Sequence, residues 1–180
     1  MTYQLKPISQ AGIPEALDKA EFYRYINEPE ETESICRDIL AIEPEHQLAL
    51  RLLGLAITDQ FIGASSDRYP EALSILQSLR DPYEQSYYTG LAFERRAKTQ
   101  LLVGYEAHAL LPLIEEAMRC FAAAEKIRPP RNDDSILRWN RCVRLLQSRP
   151  DFYFENGPEV LDAEDSPPPA SQTRRAGGTN

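Results

Sequence analysis

Apolar residues recur along the chain at spacings of three and four, and no stretch shows the strict alternation of a half-buried strand. The pattern predicts about seven helices. The first runs from about Pro14 to Ile26 and places Leu17, Ala20 and Tyr23 on one face. Asn27-Glu28-Pro29 then supplies a cap and a first-turn proline for a second helix, with Ile35, Ile39 and Leu40 on its apolar side, ending near Ile42 before Pro44. A third begins near His46 and carries Leu50, Leu53, Gly54, Ile57 and Phe61. Gly63 to Asp67 reads as a loop, with Asp67 a candidate cap for a fourth helix holding Ala72, Leu73, Leu76 and Leu79. Asp81-Pro82 starts a long fifth helix that reaches about Val103 and closes at Gly104. The sixth extends to about Arg128, and Pro112 marks either its start or a kink. After Pro129-Pro130, Asn132-Asp133-Asp134 caps a seventh with Ile136, Leu137, Trp139, Val143 and Leu146.

Composition changes after Pro150. Pro167-Pro168-Pro169 and Gly177-Gly178 replace the apolar periodicity, and few apolar residues remain to offset the entropy of ordering. The expected organisation is a flexible start over 1–12, a helical domain over 13–149 and a mostly disordered tail over 150–180. Within the tail, Phe152-Tyr153-Phe154 is the cluster suited to dock back on the last helices.

Charge narrows the function classes. A formal net charge of −8 argues against nucleic acid and anionic membrane surfaces as partners. No stretch has the roughly 20 apolar residues of a bilayer span, and residues 1–10 lack the features of a signal peptide. Cys36, Cys120 and Cys142 are odd in number and embedded in apolar helical patterns. They read as buried thiols of a cytoplasmic protein.

The helices also share a motif. Ala117, Phe121, Ala124 and Pro129 resemble the second helix and closing proline of a tetratricopeptide repeat, in which small residues admit a close neighbour and an aromatic fills the groove. Leu50, Leu53-Gly54 and Ile57 resemble the first helix of that repeat, as do Ser86, Gly90 and Phe93. Ala16, Ala20 and Tyr23 are a weaker copy, and Pro44 stands at a closing-proline position. The resemblance covers about Ile13 to Leu146. It departs from the family at the Gly63–Asp67 loop, which lengthens a repeat of about 34 residues, and at Trp139, where a small residue is usual. It implies an all-α fold of antiparallel helix pairs stacked as a short right-handed solenoid. It further implies a protein-binding function, with a peptide segment held in a concave groove lined by the first helices.

Set on Gly54 and Gly90, the repeat frame turns Leu48, Arg51, Leu55 and Thr58 inward, then Tyr87, Leu91, Glu94 and Arg95. Extended past Pro129, it adds Ile136, Asn140, Val143 and Arg144. The groove candidates are Arg51, Leu55, Tyr87, Leu91, Arg95, Asn140 and Arg144, a surface suited to a peptide with acidic and apolar side chains. Core packing is the competing role for Leu48, Leu91, Ile136 and Val143. A lysine–asparagine clamp used by some family members is not implied, because Leu17 and Glu21 occupy such positions.

Catalytic or metal chemistry has little to build on. His46 and His108 have no Cys, Asp or His at ligand spacing on their own helices, Cys120 has no nearby base in sequence, and Gly12, Gly54, Gly63, Gly90 and Gly104 are isolated. No catalytic residue, metal ligand or cofactor is expected. Glu15–Glu45 is acidic, whereas Arg128, Arg131, Arg138, Arg141, Arg144 and Arg149 make the last helices basic, which leaves a homodimer open. The expected function is an adaptor or scaffold; the alternative is a small acidic chaperone for a secreted or aggregation-prone client.

Overall fold

The computed structural model describes residues 2–62 and 67–154; most of the expected tail lies outside them. The described residues form seven α-helices and no strand: α1 Ile13–Tyr25, α2 Pro29–Ile42, α3 Gln47–Asp59, α4 Tyr69–Gln77, α5 Pro82–Leu102, α6 Ala107–Lys126 and α7 Asp134–Ser148. Short 3₁₀ turns at Gln10–Gly12 and Pro150–Phe152 flank them.

Local chemistry accounts for the helix ends. Asp81 accepts from the Glu84 amide at 2.8 Å, and Pro82 takes the first position of α5, where a missing N–H is harmless. Gly104 has φ +91, a left-handed conformation a side chain would strain. Asp67 accepts from the amide of Tyr69, the first residue of α4. Asn132 Oδ1 accepts from the Asp134 amide at 2.9 Å as α7 opens, and also from the Tyr83 hydroxyl at 3.0 Å, so one amide group ties α7 to α5. The sixth helix starts at Ala107, five residues before Pro112.

Each helix packs on its neighbours in sequence, and α1 also touches α3, α3 touches α5 and α5 touches α7. No comparable contact joins α2 to α4 or α4 to α6 among the described residues. The odd-numbered helices therefore make a continuous layer. Two core clusters underlie it. Ile13, Leu17, Ala20, Cys36, Ile39, Leu53 and Ile57 hold α1 to α3, and Ala97, Leu110, Ile114, Ala117, Phe121 and Cys142 hold α5 to α7. Leu76, Leu79 and Ala92 bridge the halves.

Two glycines set the closest approaches. A Cβ on Gly54 would lie 2.5 Å from Leu76 Cδ2, and one on Gly90 would lie 2.9 Å from Cys120 Cβ. Phe152 extends the packed unit beyond Arg149: its ring is buried in the cluster of α6 and α7, while Tyr153 and Phe154 remain exposed.

Candidate functional site

The layer of odd helices carries a pocket lined by Glu21, Arg24 and Tyr25 of α1, Arg51, Leu52 and Leu55 of α3, and Tyr88 of α5. Its volume is about 310 Å³, room for roughly ten waters. That suits one or two side chains of a partner and lies at the lower limit for a whole small molecule.

The residues expected from sequence fall into three groups. Arg51 and Leu55 line the pocket. Arg51 Nη1 lies 2.5 Å from Glu84 Oε1, and its guanidinium stands 5.9 Å from the centre of the Tyr88 ring, a cation–π contact. Leu55 is 5% exposed and forms part of the floor.

Tyr87, Leu91 and Arg95 are engaged in packing. The Tyr87 ring stacks on Tyr83 at 5.8 Å and tilts against Phe121 at 5.9 Å. Leu91 is 3% exposed. Arg95 donates through Nη1 to the Leu55 carbonyl at 3.3 Å, to Thr58 Oγ1 and to Asp59. It places a positive charge on the C-terminal end of α3, where free carbonyls concentrate negative potential.

Asn140 and Arg144 lie on α7 outside the pocket, Asn140 half-buried and Arg144 exposed.

Sequence reasoning passed over Arg24, Tyr25 and Tyr88. The signal for the first two existed. Gly54 places Thr58 four residues on and Gly90 places Arg95 five residues on; the same steps from Ala20 reach Arg24 and Tyr25. Tyr88 differs, because one residue turns a helix by about 100° and exchanges Tyr87 for the pocket-lining Tyr88.

Four arginines, one from each odd helix, populate this side. Arg24 donates Nε to Asp59 Oδ2 at 3.0 Å, so Asp59 serves both Arg24 and Arg95. Arg138 of α7 lies 3.6 Å from Glu94, a fully buried carboxylate that Lys98 also holds. Burial lowers the pKa of Arg95, and the neighbouring positive charges of Arg24 and Arg138 lower it further, against the opposing pull of Asp59 and Glu94. Burial raises the pKa of Tyr88, whereas Arg51 and Arg24 both favour its anion.

Reactive groups are few. His46 Nδ1 accepts from the Ala49 amide at 3.3 Å, the work of a helix cap. Burial pushes the Cys36 and Cys142 thiols up to about 12, and Cys120 in the same direction, away from the reactive thiolate. Among the described residues no three His, Cys, Asp or Glu side chains converge on a metal-sized site, and no helix is long and apolar enough to cross a membrane.

In comparisons with known proteins, the chain matches no family model, no curated protein and no solved structure.

Proposed function

We propose that this chain is a tetratricopeptide-like interaction module that captures a segment of a partner protein along the face of α1, α3, α5 and α7. One observation carries the reading. The odd helices touch one another in series and present an open pocket whose wall mixes aromatic, aliphatic and cationic side chains from three of them. Serial stacking of repeated helix units is how helical repeats build an extended binding surface, and the contacts of the odd helices support that reading. Tyrosine and arginine are also the side chains that most often dominate protein interfaces, because they bring large area and directional hydrogen bonds together.

The test is capture from native lysate by the full chain and by two variants. Tyr88→Ala with Arg51→Ala alters the odd face, and Glu30→Ala with Glu31→Ala alters exposed residues in the first turn of α2. The reading expects a partner recovered by the wild type and the α2 variant and lost by the odd-face variant. Equal recovery by all three contradicts it.

A further inference from the structure

The described helices end on an uncovered apolar face. Among the described residues α1, α3 and α5 are each followed by an even helix that packs on them, whereas α7 is followed only by the Pro150–Phe152 turn. That turn buries Phe152 and leaves a pocket of about 420 Å³ bounded by Tyr153. Leu111 and Met118 of α6 and Trp139 and Leu146 of α7 supply most of its wall, and Glu115 and Arg119 also border it. A cavity of that size takes a pair of aliphatic side chains, and apolar surface left in water favours an apolar occupant.

We infer that this pocket is the seat of the chain's own tail, with Val160 and Leu161 as the side chains that fill it. The inference concerns the α6–α7 side and does not depend on capture at the odd-helix pocket. The described structure ends at Phe154, one residue past Tyr153 in the pocket wall. Between there and Asn180, Val160 and Leu161 are the only large aliphatic or aromatic residues, and they are adjacent. Val160 follows Tyr153 by seven residues, a reach of up to about 23 Å. Along α7 the pocket runs from Trp139 to Leu146, about 10 Å of helix, so the pair reaches every part of it. A tether that short gives the tail an effective concentration on the order of millimolar, which favours it over a free partner or a second copy.

Charge sets the path of the flanking chain. Glu159 and Asp162 stand on either side of the apolar pair. Glu115 in the pocket wall repels them, whereas Arg141 and Arg144, exposed on α7, attract them. The apolar pair therefore supplies the seat, and its acidic neighbours run over α7 rather than α6. Seated there, the tail withholds an apolar face that would otherwise invite association with a second copy.

Trp139 is the chain's single tryptophan, so its fluorescence reports on this pocket. The experiment compares acrylamide quenching of the full chain with that of Val160→Asp with Leu161→Asp, after thermal melts confirm that both are folded. The quenching constant is expected to be about twofold higher in the variant, equally at low and high protein concentration, because a tether delivers the tail. A peptide of residues 155–166 added to the variant should lower it again, and a peptide carrying the same two substitutions should not. Equal quenching of the two chains overturns the inference and leaves the pocket to a different protein. Quenching that falls in both chains alike as protein concentration rises overturns it in favour of a second copy.

Discussion

Arg24 of α1 and Asp59 at the end of α3 meet at 3.0 Å, although 35 residues separate them in sequence. The contact joins two helices that are both odd-numbered, and Asp59 continues to Arg95 of α5. One carboxylate thereby links three helices of one layer. Asp59→Asn should lower stability by about 1 kcal/mol, the scale of a partly exposed charge-assisted contact. Denaturant unfolding measures the loss. An unchanged midpoint would contradict the link.

Gly54→Ala and Gly90→Ala should destabilise the fold even though alanine favours a helix by about 1 kcal/mol over glycine. At Gly54 the new Cβ meets buried Leu76, and at Gly90 it meets Cys120 Cβ and the Phe121 ring, all closer than 3 Å. Cys120 Cβ cannot rotate away, so α6 must retreat from α5. The expected cost is about 1–3 kcal/mol at each position, measured as a lower denaturation midpoint. A rise in stability would show that these helix pairs are looser than described.

Glu33 predicts a pH dependence. Arg68 grips it through two hydrogen bonds of 2.7 Å, and Arg37 and Gln60 add others. These bonds, led by Arg68, hold its carboxyl at about 2, below the ordinary 4.5 and against the opposing effect of burial. The folded state thus binds the Glu33 proton more weakly than the unfolded chain does. Its stabilisation is complete above about 4.5 and is lost as the pH falls towards 2. The stability gap between wild type and Glu33→Gln, about 1–3 kcal/mol at neutral pH, should close over that window. A gap unchanged at pH 2.5 would contradict the network.

Phe152 tests where the packed unit ends. Its ring is 1% exposed against α6 and α7, so Phe152→Ala should cost about 3–5 kcal/mol. Tyr153→Ala, at an exposed neighbour, should cost less than about 1 kcal/mol. Thermal unfolding distinguishes them, and equal effects would place the boundary before Pro150.

The helical architecture was legible because its signals are local. Asp81-Pro82, Gly104, Asn132 and the three-and-four spacing of Leu50, Leu53 and Ile57 act within one turn of chain. Gly54 and Gly90 carried tertiary information as well, since a small residue in a helix is informative when another helix crosses there. The pocket was less legible. Arg51 and Leu55 follow from the frame around Gly54, but Arg95 is drawn to the end of α3 by the Leu55 carbonyl and the Thr58 hydroxyl, 40 and 37 residues away. No spacing rule conveys that. Glu94 looked like a polar groove position and is instead fully buried between Lys98 and Arg138, because its fate depends on which cations neighbouring helices supply. Leu91 reads alike from sequence whether it covers a groove or fills a core, and its burial decides.

Capture on the odd-helix face is tested most directly by mapping backbone amide shifts of the full chain as a captured partner fragment is added. Perturbations should concentrate on α1, α3 and α5 around Arg24, Arg51 and Tyr88, with the arginine Nε–H signals of Arg24 and Arg51 among the largest. Perturbations concentrated on α2, α4 or α6, with those two signals unmoved, would contradict it.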